Sequence, residues 1–364
     1  MRGKGERYLV IEEVKGGFRA TVAKTTPPEK EIRIVKTFEV KEIAKLKKLF
    51  YFTFDKIVLA LDRETAATVQ DSCAVQTSSR TEIITEAELE NLVFKGLWEF
   101  LNKYRSWASK KLNVSDVSLI LNDVQVRGVK LDGHKLFNPV GFKGGSIEFT
   151  LKGTFITRQL MSDLAGLGRT GKLSIIERNA ALASFLEGDR DVLVSIGEER
   201  TATFLKDGER QISGEEIAWG VRKLKEKVSE EFSVDYETAG KLIGMYAAGL
   251  TSVPIGRRFK KIITDGFNDL LRLLGPKRRN LTFYFESFVL PSEILQKDVR
   301  ADLCRFDEEL SRRNLRITAG RKAKFDLFQN QGTAILLTYS YVDERYDLLN
   351  IMLRRRAGWL VSHF

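Results

Sequence analysis

The chain predicts an α/β protein of more than one domain, and three of its features carry that expectation. Apolar runs at 192–196 and 201–205 flank a short turn, and Asp207-Gly208 follows as a second hairpin turn signal. Elsewhere, helical periodicity follows cap signals, as where Thr85 and Glu88 precede the stripe Leu89, Leu92, Val93, Leu97, Phe100, Leu101 and Tyr104. At 364 residues the chain exceeds what one compact core serves and suits two to three domains.

Taken in order, the first elements are strands at 8–12, 18–24, 31–39 and 56–62, with a helix near 41–49. The helix after Thr85 presents its apolar stripe to a core. Strands at 116–122, 124–131 and 146–157 follow, with Asp132-Gly133 as a hairpin turn. A strand and a small-residue helix share 174–183, ahead of the hairpin at 192–205. Ser213 and Glu216 read as a capping box opening a helix through Lys223 and Val228. Asp235 caps a second helix that runs to Ala248 and stops at Gly249. A last helix spans 333–340 and leads almost at once into 346–364. No internal sequence repeat is visible.

The hairpin at 191–210 resembles the second phosphate loop of the actin-like ATPases, and the run Asn138-Pro139-Val140-Gly141-Phe142 with Gly144, Gly145 and Ser146 is similar to the inserted subdomain of the FtsA family of bacterial division proteins. The resemblance extends over nearly the whole chain. It implies an α/β, actin-like fold of two RNase-H-like halves with a small inserted α+β subdomain of the SHS2 type. On that reading 1–81 plus 161–190 form the first half and 82–160 the inserted subdomain. Residues 191–345 form the second half, with a helical lobe at 213–275, and 346–364 a C-terminal basic amphipathic segment.

Against the family pattern, the nucleotide contacts are altered at three places. Glu12 stands at the acid that ends the first strand, Val14 at the family's glycine and Lys15 at its hydroxyl, with glycines displaced to Gly16 and Gly17. In the second loop Ser195 replaces the carboxylate, Glu198, Glu199 and Arg200 replace glycines and a threonine, and Gly197 and Thr201 remain. Carboxylates repel polyphosphate, and residues with a Cβ in left-handed backbone cost about 1–2 kcal/mol each. The run 281–288 brings large side chains where the family has a Gly-Gly turn under adenine. Glu12, Lys15, Gly16, Gly17, Gly197 and Thr201 are thus residual nucleotide-binding positions, and the substitutions argue against bound ATP and magnesium. Catalytic and metal-ligating sets are not expected. His134 and His363 are the only histidines, Cys73 has no local partner and reads as a buried or idle thiol, and Glu198-Glu199 would point to opposite faces of a strand.

Composition agrees with a globular protein, 43% hydrophobic and 30% charged with six prolines. Two distant cysteines imply a reducing compartment, and neither a secretory signal nor about 18 uncharged apolar residues in a row is found. The expected location is the cytoplasm, peripheral on the inner face of the membrane. A net charge of +11 calls for an anionic partner. Nucleic acid is disfavoured, because zinc-ligand spacing, helix-turn-helix and RNP-type signatures are missing. Basic clusters at 257–261, 277–279 and 312–313 read as solvated faces. The segment 346–364 admits two readings. Leu353, Arg354, Arg355, Arg356, Trp359, Leu360 and Phe364 form an interfacial anchor on an anionic membrane, or the helix packs on its own domain.

The resemblance implies a non-enzymatic scaffold that self-associates and tethers an FtsZ-like division protein to the membrane. Two alternatives stand beside it. One is an actin-like scaffold of type IV pilus or secretion assembly that binds a short cytoplasmic peptide of a membrane protein. The other is an active ATPase with unconventional phosphate loops.

Overall fold

The computed structural model describes residues 6–14, 16–26, 31–42, 45, 54–165, 173–185, 190–275, 280–285, 301–303, 311, 315–319, 327–339 and 344–361. They fall into two compact units: Met1–Ser184, Glu209–Ile212 and Leu310–Phe364 make unit one, while Phe185–Gly208 and Ser213–Glu309 make unit two.

The chain opens with β1 (Glu6–Val14), β2 (Gly17–Thr26), β3 (Glu31–Val40), β4 (Lys56–Leu61) and β5 (Ala66–Gln76), then the long helix α1 (Glu86–Leu112). Next come β6 (Leu119–Leu131), β7 (His134–Leu136), β8 (Ser146–Thr157), α2 (Arg158–Ala165), β9 (Leu173–Glu177) and α3 (Arg178–Ala183). Then follow β10 (Arg190–Ile196), β11 (Thr201–Asp207), β12 (Arg210–Ile217), α4 (Val221–Phe232), α5 (Tyr236–Ala247), α6 (Val253–Leu274), β13 (Asn280–Phe285) and β14 (Ala301–Leu303). The last elements are β15 (Arg316–Ala319), α7 (Leu327–Tyr339) and α8 (Asp347–Val361).

Unit one contains a sheet of order β15-β3-β2-β1-β4-β9. Its first three strands form an antiparallel meander, and β4 and β9 run parallel to β1. Leu9, Val10 and Ile11 are all buried, the near-continuous apolar run of a strand covered on both faces. In unit two, β10 and β11 are antiparallel, β12 follows β11 through a tight turn, and β13 and β14 run parallel to β10, giving the order β12-β11-β10-β13-β14. One plan therefore occurs twice: a three-strand meander with two further strands added in parallel beside its first strand. This repeat of an RNase-H-like half is the actin-like fold expected from the sequence, and no sequence repeat announces it.

The second sheet of unit one joins β5, β8, β6 and β7, with Gln211 and Ile212 of β12 paired to β5. Alternation on β8 sends Ile147, Phe149, Leu151 and Phe155 toward α1, where Leu89, Leu92, Leu97, Phe100 and Tyr104 meet them in one apolar core. Thr85 caps α1 by accepting from Glu88 N–H, as the capping box predicts, and Asn113 ends the helix in left-handed backbone. Asp132 and Gly133 take positive φ and close the β6–β7 hairpin as expected.

Several expectations need correction. Ser213 and Glu216 lie in β12, not at a helix start; α4 begins at Val221 after Gly220. Hairpin pairing with β11 overrides the local cap signal there, with Thr203 Oγ1 donating to the Glu215 carbonyl at 3.0 Å. Strands 116–122 and 124–131 are one strand, β6, irregular between Asn122 and Gln125 and again between Val126 and Gly128. Strand β5 was not expected at all, because polar Thr68, Gln70, Asp71 and Ser72 interrupt its apolar phase. Within 191–345, Glu209–Ile212 and the residues from Leu310 on group with unit one, and of 161–190 the last residues, from Phe185, group with unit two. The helix expected at 41–49 lies almost wholly outside the described residues.

The C-terminal segment is built into unit one. Tyr346, Leu349, Met352 and Leu353 complete the core of α1 and the second sheet. Asn350, also buried, accepts from Val126 N–H at 2.8 Å and donates to the carbonyls of Val126 and Tyr346. It acts as a side-chain extension of the β6 ladder, where the backbone groups have no water to turn to. Asn350→Leu is expected to lower the unfolding free energy by about 1–3 kcal/mol, because a buried N–H is left unsatisfied. Urea unfolding monitored by circular dichroism measures the loss.

Candidate functional site

The β1–β2 turn carries the first set of expected positions. Strand pairing runs from Glu6↔Thr25 to Val14↔Gly17 and places Glu12 opposite Arg19. Gly16 adopts φ +83°, and Lys15 lies outside the described residues. Gly17 is needed for close approach: a Cβ there would stand 2.4 Å from the Val40 carbonyl oxygen. Glu12 is only 4% exposed, and its Oε2 has no hydrogen-bond partner among the described residues. Burial pushes its carboxyl above the ordinary glutamate range, opposed by the guanidinium charges of Arg19 and Arg178. The acid one residue on does different work: Glu13 accepts from Asp62 N–H at 2.9 Å and Thr65 Oγ1 at 3.0 Å, fixing the turn after β4.

The β10–β11 turn of unit two holds the second set. Its backbone is already engaged: Gly197 N–H donates to the Arg200 carbonyl at 3.0 Å. The Gly197 and Glu198 carbonyls accept from Val221 and Arg222 N–H at the start of α4. The side chains are engaged too. Glu198 Oε1 accepts from Lys225 Nζ at 2.7 Å and from the Tyr236 hydroxyl at 2.6 Å. Glu199 pairs with Arg222 at 3.2 Å, and Arg200 with Glu216 at 2.7 Å. Partial desolvation of the hydroxyl, together with its bond to the Glu198 carboxylate, pushes the Tyr236 phenol above its ordinary range. Thr201 is fully buried and its hydroxyl donates to the Trp219 carbonyl at 2.6 Å, while Ser195 is buried within β10.

These residues do not fit a triphosphate with magnesium. A phosphate grip needs free N–H groups converging on an anion, whereas the Gly197 N–H is satisfied inside the turn. A metal shell needs an accessible carboxylate, whereas Glu198 and Glu199 already neutralise cations of α4 and Glu12 is buried. Leu281, Phe283 and Phe285 of β13 are buried in the core under α6, and Glu286 to Phe288 lie outside the described residues.

Of the positions expected to meet a membrane, the described ones lie in α8. Leu353 is fully buried in the α1 core, which corrects its assignment to a lipid contact. Arg354 and Arg355 are exposed, and Arg354 Nε donates to the Asn350 carbonyl. Arg356, Trp359 and Leu360 lie in α8, and Phe364 lies beyond the described residues.

Two polar clusters of unit one were not foreseen. Asp71 accepts from Lys103 Nζ at 2.6 Å and from the Tyr104 hydroxyl, whose pKa rises to about 12 through burial and then the Asp71 bond. Glu209 accepts from Ser72, Thr150 and Lys130. A signal for the first was present: Asp71 breaks the apolar phase of Ala67, Val69, Cys73 and Val75 along β5. Cys73 itself is buried, its thiol pushed up to about 11 by that burial.

Glu12→Gln tests the first turn. A raised folded-state pKa means that the wild-type carboxyl costs stability once pH passes its unfolded value and increasingly as pH rises through the folded one. The variant is therefore expected to melt higher than wild type at pH 8, with the gain vanishing at pH values low enough to protonate the carboxyl in both states. Calorimetric melting across pH checks it.

No family model matches the chain, and no curated protein sequence matches it. Among solved structures it is similar to the PilM–PilN type IV pilus biogenesis complex, at 12% identity over 92% of this chain and 99% of that one, with a TM-score of 0.48. It is also similar to a Bacteroides thetaiotaomicron protein of actin-like ATPase fold and unknown function, at 9% identity over 91% and 96% of the two chains and a TM-score of 0.35. A third similar structure is the cytoplasmic domain of EpsL, an inner-membrane component of the type II secretion system of Vibrio cholerae, at 9% identity over 92% and 96% with a TM-score of 0.34. The assignment of fold rests on the repeated strand order and not on these overlaps.

Proposed function

We propose that this chain is an actin-fold scaffold that acts by binding protein partners, without turning over nucleotide, in a membrane-associated assembly of the pilus or secretion kind. The observation that carries the reading is the β10–β11 turn, where both glutamates and the glycine amide are engaged within unit two. A site that binds and releases a triphosphate needs those groups free. Here they hold α4 and α5 against the sheet, a structural use of positions that in nucleotide-dependent relatives meet phosphate. The expected partner is a short cytoplasmic segment of a membrane protein, and self-association accompanies it.

Tethering an FtsZ-like protein is the lesser reading, for a specific reason. It calls for a C-terminal helix released to the membrane, and Leu349, Met352 and Leu353 of α8 are core residues. Among the described residues no helix is long and apolar enough to cross a bilayer.

Two measurements test the proposal. Calorimetric titration with magnesium and ATP is expected to give no micromolar binding; such affinity, abolished by Thr201→Ala or Glu12→Gln, would overturn it. Deleting residues 346–364 is expected to cost several kcal/mol of stability through the four buried side chains lost, at about 1.5–3 kcal/mol each, or to prevent folding. A deletion that melts like the full chain yet no longer binds vesicles would restore the tether reading.

A further inference from the structure

The junction of α5 and α6 in unit two shows a combination that neither turn nor core requires. Helix α5 ends in a Schellman motif: Leu250 N–H reaches the Met245 carbonyl at 2.9 Å and Gly249 N–H the Tyr246 carbonyl at 3.0 Å, with Gly249 at φ +69°. This closure sets Leu250 beside Met245. After Thr251 and Ser252, α6 starts with Val253-Pro254-Ile255. Leu250 and Val253 are 69% and 68% exposed, and Met245 and Ile255 are exposed as well. Large apolar side chains so close together and so open to water mark an interaction surface, whereas scattered single ones do not.

Along the chain the charge next to them is basic. From 241 to 261 the chain has five basic residues and no acidic one. Arg258 is taken by Glu231, at 2.7 Å, and lies over the Phe232 ring. Arg257, Lys260 and Lys261 are exposed and make no ion pair among the described residues; Asp265 stands one turn further along α6. Residues 253, 257, 260 and 261 share one face of the helix by their spacing, so the cations flank the apolar tip directly. An apolar point bordered by unpaired cations is complementary to an anionic bilayer surface. The side chains enter the acyl boundary while the lysine and arginine heads stay among the phosphates.

We propose that the α5–α6 tip of unit two docks on the surface of an anionic lipid bilayer. The inference takes from the proposed function only the expectation of a membrane nearby, and supplies the contact that the buried α8 residues do not. Failure of the tip to bind lipid would leave the outcome of the ATP titration, and what it says of nucleotide, untouched.

The test is co-sedimentation of the full chain with vesicles of phosphatidylcholine alone and of phosphatidylcholine with phosphatidylglycerol. Binding is expected only to the anionic vesicles. Leu250→Asp with Val253→Asp, and separately Lys260→Glu with Lys261→Glu, should each weaken it at least about tenfold. Lys95→Glu with Lys135→Glu, an equal charge change on unit one, should alter it less than about twofold. Circular dichroism melts verify that the variants are folded. Should either tip pair fail to fold, a nitrobenzoxadiazole label on Leu250→Cys, in a Cys304→Ser background, gives the second readout: a blue shift on adding anionic vesicles is expected. An absent shift, no binding to anionic vesicles, or equal loss in the unit-one control overturns the proposal. So does tip-dependent binding to polyglutamate with none to vesicles, which would make an acidic protein segment the occupant.

Discussion

One buried carboxylate organises unit one. Glu177, at the end of β9 and 1% exposed, accepts from Lys111 Nζ at 2.9 Å with one oxygen and from Thr68 N–H at 2.6 Å with the other. It thereby fastens the last strand of the first sheet to the final turn of α1 and to β5 of the second sheet. Removing one member of such a buried pair typically costs about 3–5 kcal/mol, because the remaining charge cannot recover its water. That junction ties the C-terminal end of α1, whose other face carries the core that α8 completes, to both sheets of unit one. The two cores of unit one, around β1 and β4 and around α1, are thus joined by a polar contact as well as by packing.

The two turns that resemble phosphate loops depart from that role in different ways. In the β1–β2 turn the acid is retained but buried, with its charge disfavoured, and Gly17 serves contact with β3. In the β10–β11 turn the charges are kept and neutralised locally by Lys225 and Arg222. These pairs are partly exposed, so each contributes about 0–1 kcal/mol. Their importance lies in geometry: together with the backbone bonds to Val221 and Arg222 they set the entry of α4.

How much of this was legible in the sequence depended on whether the signal was local. The meander β1–β3, the Asp132-Gly133 turn, the Thr85 cap and the Asp235 cap were all readable, because alternation and turn chemistry act within a few residues. Thr203 and Glu215, which meet where β12 pairs with β11, are a dozen residues apart, and the local signal at 213–216 is that of a capping box. Strand β5 was hidden by polar residues whose partners, Lys103, Tyr104 and Glu209, come from other parts of the chain. At the candidate site the departures from a phosphate loop could be read from residue types. The partners that engage Glu198 and Glu199 could not, since α4 and α5 approach the turn only in the fold.

The bond between Asn350 and Val126 spans 224 positions of sequence. During translation at about 5–20 residues per second, β6 and α1 therefore emerge with an apolar groove that stays uncovered for roughly ten seconds or more, until residues 346–353 are made. Throughout that interval the nascent chain exposes a sticky seam to its neighbours on the polysome. A holding chaperone that shields the seam would raise soluble yield more than one acting after release.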